Sequence, residues 1–589
     1  MERWALESVG SDGTLGAGER QARGRGDTVG SGAEILVKAL EREQVEVIFC
    51  YPGGANLEIL DQLRDSSIRM VLTRHEQGAA HEASGYGRVS GRPGVCLATS
   101  GPGATNLVTG LAAASMDSVP LIAITGQVGT GMVGTDAFQE VDVTGITDPI
   151  TKHNYLVRHP EDVAKTVKEA FYIAGSGRPG PVLLDIPRDV AQAETGVTTA
   201  GEIDLRGYKP NLRGHQGQIK QVLRLLADAA RPVVIAGGGV LCAGAWPEML
   251  RLAEGQRLPI ANTLMGLGSV PLDHALALGM MGVHGLAPAN LAVQSADLLI
   301  ALGTRFSDRM SCNTEGFAPA AKIIHIDVDP AEIGKNVRAD VPLVGDLKIV
   351  LGQILAKLEP GRPAGGAAGR DSWLAEIAEW KKIPHDPGPV RPDRLSAPAV
   401  IEALAAALPP QAIVATDVGQ HQMWAAQRLR HRRPRGFISS GGLGAMGYGI
   451  PAAIGAQLAC PRDLVVVVTG DGSFQMGLPE LGTAKERRLP VKILLLNNDY
   501  LGMVKQLQDF YCDHRYAAVA FSDNPDFGAL AAAYGADYFL AADQAALSLA
   551  LPAFLAAPGL AVLEARVAPE ENVYPMVLAG QNLDQMIGR

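Results

Sequence analysis

The sequence predicts an α/β fold built as three doubly wound parallel-sheet domains. Three observations carry that prediction. Short apolar runs rich in β-branched residues recur, such as 464–468 (LVVVV) and 491–496 (VKILLL); they are too short for helices and read as strands buried on both faces. Such runs alternate with Gly-rich turns and helical stretches, the pattern of βαβ units. The chain has 589 residues, 47% hydrophobic and only 19% charged, with 69 glycines, enough apolar material for several cores.

Composition also excludes. The net charge is −10, from 52 basic and 62 acidic residues, and no basic stripe marks a nucleic-acid partner. No apolar run approaches the roughly 18–20 residues of a membrane span. The cysteines, Cys50, Cys96, Cys242, Cys312, Cys460 and Cys512, are scattered without a C-x-x-C pair, which predicts reduced thiols and a cytoplasmic protein. The first 31 residues are rich in Gly and Arg but carry Glu2, Glu7, Asp12, Glu19 and Asp27, unlike a transit peptide, and lack the apolar core of a secretion signal. They predict a disordered extension, 1–31.

The first domain is expected at 32–195. A helix at 33–43 leads to a strand at 45–50 and the turn Tyr51-Pro52-Gly53-Gly54. A strand at 69–73 ends at Arg74-His75-Glu76, a helix follows at 79–89, and a strand at 94–99 meets Ser100-Gly101-Pro102-Gly103. Strands at 121–125 and 182–186 complete it. The middle domain, 215–360, has a strand at 232–236 running into Gly237-Gly238-Gly239. Its further strands, 297–303 and 322–328, are the first followed by Thr304-Arg305 and the second ending in His325-Ile326-Asp327. This predicts a nucleotide-binding sheet, although it holds no G-x-G-x-x-G fingerprint. Residues 361–394, with PGRPAGGAAGR at their start and a Pro-rich end, predict a linker. The last domain, 395–589, has a strand at 412–416 entering Asp417-Val418-Gly419-Gln420-His421, then the two runs already named, joined by helical 473–488.

The chemistry concentrates at strand ends. Asp471, in Gly470-Asp471-Gly472, follows one buried strand and Asn498, in Asn497-Asn498-Asp499, follows the next. Both would lie beyond the carboxyl ends of a parallel sheet, where ligands of such sheets bind. A carboxylate and an amide completed by phosphate oxygens suit Mg²⁺, and the glycines let backbone approach a diphosphate. A lone Gly-Asp-Gly is an ordinary turn after a strand. Followed one crossover later by Asn-Asn at a strand end, it resembles the thiamin diphosphate (ThDP) motif. Glu76 alone would be a helix-start acid favoured by the dipole. In company with YPGGA, RHEQGAA, TSGPGATN, GTDAFQE, GQHQMW and SGGLGAMG, it makes the chain similar to the acetohydroxyacid synthase (acetolactate synthase) family from about residue 32 to 587.

That resemblance implies a ThDP pyrimidine-binding domain, a central FAD-binding domain and a ThDP diphosphate- and Mg²⁺-binding domain with a C-terminal tail. It makes Glu76 the carboxylate on the aminopyrimidine and places Gln139 near the reacting centre. It assigns ThDP contacts to Pro52, Gly54, Gly419, Gln420, His421, Gly444, Met446, Asp471, Gly472, Ser473, Asn498, Tyr500, Gly502 and Met503, Met446 being the prop for a V-shaped cofactor. The metal would take Asp471, Asn498 and the Tyr500 backbone. A structural FAD would take Gly238, Gly239, Thr263, Leu264, Met265, His284, Gly303, Arg305, Ile326, Asp327 and Asp346. Phe138, Lys152, Arg309, Met503 and Leu507 would line the substrate.

The implied activity decarboxylates pyruvate and transfers the two-carbon unit to pyruvate or 2-ketobutyrate, in branched-chain amino acid biosynthesis. A homodimer or homotetramer is implied, with ThDP between subunits, as is a regulatory small subunit. Four departures stand out: Asp204 replaces an Arg on FAD, with Arg206 two residues on; Leu578 replaces a Pro; Leu507 replaces a Trp; and Gly129 stands where plant members carry Pro. The last two predict weak discrimination between acceptors and insensitivity to sulfonylurea-type inhibitors. Competing readings are a fermentative acetolactate synthase, a pyruvate oxidase or a decarboxylase; a glyoxylate carboligase lacks the Glu kept here as Glu76. Survival of Glu76, Gln139, Asp471 and Asn498 argues against a protein that only binds.

Overall fold

The computed structural model describes residues 29–358, 367–384 and 393–588. Three six-stranded, wholly parallel sheets organise them. The first runs, in spatial order, Arg69–Leu72, Val47–Cys50, Gly94–Ala98, Leu121–Gln127, Pro181–Pro187, His153–Leu156. The third repeats that topology with Phe437–Ile438, Ile413–Thr416, Val465–Gly470, Lys492–Asn497, Ala561–Arg566, Asp537–Ala541. The middle sheet is wound differently: Ala277–Met280, Ile260–Asn262, Pro232–Ala236, Leu298–Leu302, Lys322–Asp327, Val341–Val344. Each sheet reverses its strand order beside its first strand, and that reversal opens a crevice at the carboxyl ends; the first and third sheets also exchange their last two strands.

Helices cover both faces of each sheet, so the central strands are buried throughout; Val465, Val466, Val467 and Val468 are all fully buried. Burying one such side chain is worth about 1.5–3 kcal/mol, which is why valine runs, and not alternating patterns, mark these strands. The Glu76–Ser90 helix of the first sheet packs on the Gly449–Ala459 helix of the third, backbone against backbone, with Gly85 on Ala452 and Gly455 on Glu82.

Several expectations shift. Residues 1–28 of the expected extension lie outside the described residues, but Gly30–Ser31 form a short strand paired antiparallel with Glu194–Thr195, and Ser31 caps the Gly32–Arg42 helix. The expected linker contains a helix, Ala367–Trp380; its remaining parts, 359–366 and 385–392, lie outside the described residues. Trp373 and Ile377 of that helix are buried, and Arg370 donates to the carbonyls of Leu226 and Gln256. The Gly- and Ala-rich start hid the helical spacing of Trp373, Ile377 and Trp380. The crossover expected at 473–488 is broken in three, Asp471–Gly477, Leu478–Glu480 and Leu481–Glu486, because Pro479 tightens the middle turn. Edge strands His153–Leu156 and Asp537–Ala541 escaped prediction because they are half exposed and polar. Ala561–Arg566 escaped because it buries Glu564, held by Asn497 Nδ2 (3.0 Å) and Tyr538 OH (2.6 Å).

Candidate active site

The crevice of the third sheet gathers most of the expected ThDP residues into one cleft. Gly419, Gln420, His421, Met446, Asp471, Gly472, Ser473, Asn498, Tyr500, Gly502 and Met503 line it. Three strand ends deliver them: Ile413–Thr416 leads to Gly419, Val465–Gly470 to Asp471, and Lys492–Asn497 to Asn498. Gly444 lies exposed in the loop before Met446.

Asp471 is 1% exposed; burial pushes its pKa up to about 7, and neighbouring Asp499 adds to the rise. A carboxyl so placed is stabilised as an anion when a cation joins it. Asn524 Nδ2 bridges Asp471 Oδ2 (2.9 Å) and Asp499 Oδ1 (3.2 Å). Asn498 Oδ1 accepts from Tyr500 N (3.1 Å), which ties two residues of the cleft lining together. Among the described residues no cluster of three or more His, Cys, Asp or Glu could hold a metal. A carboxylate, an amide and a carbonyl fit instead a hard cation that completes its shell with phosphate and water.

The cleft also fits a diphosphate. His421 is buried, burial lowers its pKa to about 3, and its Nε2 has no partner, so a neutral imidazole presents one free polar atom. A side chain at Gly502 would put Cβ 2.1 Å from Gln420 Oε1, so only glycine lets the Gly502–Tyr511 helix seat on the cleft. Gln420 Nε2 then reaches Gln506 Oε1 (2.9 Å) and the Glu571 carbonyl (2.9 Å), fixing that helix from below.

A second group forms at the crevice of the first sheet. Glu76, 7% exposed, opens its helix and accepts from Asn106 Nδ2 (2.9 Å). Pro52 and Gly54 are exposed beside it on the turn that Thr99 Oγ1 holds through Ala55 N (3.2 Å). Gln139 packs its backbone on Gly101 and, like Asp136, has a positive φ (60° and 57°), local strain of the kind concentrated at functional sites. Phe138 between them is 87% exposed. None of these residues lines the third-sheet cleft of their own chain.

The FAD residues collect at the middle sheet's carboxyl ends: Gly238 and Gly239 after Pro232–Ala236, Thr263, Leu264 and Met265 after Ile260–Asn262, and His284 after Ala277–Met280. Gly303 and Arg305 follow Leu298–Leu302, and Ile326 and Asp327 end Lys322–Asp327. Arg305 is a half-buried cation whose pKa partial burial lowers; burial raises Asp327 to about 6. A crevice with a half-buried guanidinium suits a nucleotide diphosphate. Asp346 serves as a helix cap, accepting from Ile349 N (3.0 Å), and Asp204 and Arg206 are both exposed.

Two expected substrate residues sit elsewhere. Lys152 spends its three donors on Ile173 O (2.5 Å), Ser176 O (2.8 Å) and Tyr208 OH (3.0 Å), tying a helix end, so no donor is left for substrate. Arg309 is 77% exposed beside Asp308, away from the cleft lining. Sequence reasoning missed Asn524, whose signal would have been an amide beyond the cleft strands, and Trp424, Val418, Leu501 and Val504, which line the cleft without a polar signature.

Comparisons with known proteins agree with this layout. Family models for thiamine pyrophosphate enzymes match in order: the N-terminal TPP binding domain at 30–146, the central domain at 219–354, and the C-terminal TPP binding domain at 417–565. The chain is 48% identical to the "Probable acetolactate synthase large subunit" of Methanocaldococcus jannaschii, over 94% of this chain and 95% of that one. It is 47% identical to an acetolactate synthase large subunit of Mycobacterium tuberculosis (94% and 91%) and 45% identical to that of Corynebacterium glutamicum (94% and 89%). With three matching domains and near-complete coverage, the chain belongs to the acetolactate synthase large-subunit family of thiamine pyrophosphate enzymes.

Proposed function

We infer that the chain is a ThDP- and Mg²⁺-dependent enzyme that decarboxylates pyruvate and joins the two-carbon unit to a second 2-keto acid, pyruvate or 2-ketobutyrate. The observation that carries this is the pairing of a buried carboxyl, Asp471, with Asn498 in one cleft that also presents an unpartnered His421. When bound there, ThDP supplies the electron sink that loss of CO₂ from a 2-keto acid requires. Asp471, Asn498 and the Tyr500 carbonyl would hold the cation, and His421 and the Gly472 backbone would meet the diphosphate. The Glu76 carboxyl, oriented by Asn106, would serve as the proton-exchanging group toward the aminopyrimidine. Met503 and Val504 line the cleft from the Gly502–Tyr511 helix, and Leu507 lies exposed further along the same helix.

Glu76 and Asp471 belong to different crevices of one chain, so a complete site needs a second copy. Exposed apolar side chains support that pairing: Met132 and Phe138 beside the Glu76 group, and Leu443, Met476, Val504, Leu507 and Tyr511 around the cleft. A homodimer, or a homotetramer made of two such dimers, would bury both sets. FAD fits the middle crevice in a structural role. The relatives' designation as large subunits supports a smaller regulatory partner. No described helix is long and apolar enough to cross a membrane.

The test supplies pyruvate, ThDP and Mg²⁺ and identifies products. Acetolactate is expected. Acetate with peroxide would assign an oxidase, acetaldehyde a decarboxylase, and no turnover a binding protein.

A further inference from the structure

Two carboxyls that play no part in the cleft are buried together where the first and third sheets meet. Glu82, six residues beyond Glu76 on the same helix, is fully buried, and neither of its oxygens has a hydrogen-bond partner. Burial, and then the charge of Glu480, hold its pKa well above the usual carboxylate range. Glu480 is 3% exposed and comes from the turn between Asp471–Gly477 and Leu481–Glu486.

Glu480 points at the segment that presents Glu76. Its Oε1 accepts from His75 N (3.0 Å) and Arg74 N (3.0 Å); its Oε2 accepts from Arg74 N (3.2 Å) and Thr483 Oγ1 (2.6 Å). It lies directly on Gly78, where a Cβ would stand 2.2 Å from Oε1. One acceptor group therefore grips the chain on both sides of Glu76. The Arg74 guanidinium adds Gly482 O (3.2 Å) and Glu486 Oε2 (2.7 Å), and Thr483 Oγ1 also reaches Leu72 O (3.3 Å). None of these groups lines the cofactor cleft.

Burying two ionised carboxylates side by side is costly, whereas a protonated one can donate to its charged neighbour. The charged member then makes the stronger class of bonds to backbone N–H groups. We propose that Glu480, with Glu82 buried beside it as a donor, is a positioning residue for Glu76. It fixes backbone 74–78 from the third sheet of the same chain, so that the Glu76 carboxyl faces Asn106. This rests on Glu76 being the acid–base group of the proposed reaction, and it deepens that assignment.

The first test needs no cofactor. Hydrogen–deuterium exchange of the ligand-free chain reads the Arg74 and His75 amides. Glu480→Ala is expected to speed exchange in 72–78 at least about tenfold, the scale of one lost charge-assisted bond. Glu82→Gln, a neutral donor, is expected to match the parent, and Glu82→Leu to exchange faster. Unchanged exchange in Glu480→Ala, or Glu82→Gln behaving like Glu82→Leu, overturns the proposal. If Glu480→Ala fails to fold, Glu480→Gln, which keeps one acceptor oxygen, takes its place with the same expected direction and the same overturning result. The second test splits kcat from binding. Displacing a catalytic group by about 1 Å costs on the order of 10²-fold, so Glu480→Ala should lose kcat on that scale while its KM for pyruvate and half-saturating ThDP stay within about twofold of the parent. An equal loss in ThDP affinity would make Glu480 a fold prop and overturn the positioning role. Failure of the Glu76 assignment is seen separately, as normal turnover of Glu76→Gln.

Discussion

Glu76 and Asp471 are both buried carboxyls at the end of a parallel strand, yet their neighbours give them different work. Asp471 shares its corner with Asp499 and the amide of Asn524, and burial raises its pKa to about 7, surroundings that a cation would complete. Glu76 sits at a helix start with one amide donor, Asn106, on its Oε2, and with its Oε1 beside Gly103. Glu76→Gln keeps the shape and removes the proton-exchanging group. Turnover should fall by roughly 10²–10⁴-fold with ThDP affinity retained, measured by steady-state kinetics beside a cofactor titration. At this scale the sequence made the polar cleft residues legible, because Gly-Asp-Gly and Asn-Asn sit where strands must end. It made Lys152 misleading, since nothing local says that its ammonium is consumed by Ile173, Ser176 and Tyr208. Asn524 was invisible because it approaches Asp471 from 53 residues away.

Two helices carry the element-scale consequences. The Gly502–Tyr511 helix presents Val504, Leu507 and Tyr511 along one exposed stripe over the cleft. An indole at 507 would widen that apolar contact toward the second keto acid, and a change of this kind in an apolar pocket is worth about 1–3 kcal/mol. In competition at equal concentrations, the parent should yield a substantial acetolactate share, and Leu507→Trp should move product toward 2-aceto-2-hydroxybutyrate by roughly tenfold. A strong 2-ketobutyrate preference in the parent, unaltered by the Trp, would remove Leu507 from the pocket. The Ala367–Trp380 helix, expected as linker, instead anchors to the middle sheet: Trp373 is 1% exposed, donates to Pro232 O (3.2 Å) and lies under the Arg231 guanidinium (4.4 Å). Trp373→Ala should cost about 3–5 kcal/mol, seen as an earlier unfolding midpoint of the middle domain in urea. The helix was illegible because composition was weighed over spacing. The buried strands were legible for the opposite reason: valine runs admit no other exposure pattern.

At the scale of the molecule, three parallel sheets follow from the alternation of buried runs and Gly-rich turns, and their strand-order reversals explain why chemistry gathers at three crevices. What no local pattern could reveal is that the two crevices expected to share one cofactor keep their polar groups apart within a single chain. The account therefore stands on a site completed between copies, and mixed subunits test that most directly. Glu76→Gln and Asp471→Ala chains, each with little activity alone, are co-expressed with different tags and the doubly tagged species isolated from the mixture. A mixed dimer carries one site with both native groups, so random pairing should restore roughly a quarter of parental activity to the mixture and about half to the purified heterodimer. Heterodimers that form in good yield yet stay as inactive as either variant would contradict it.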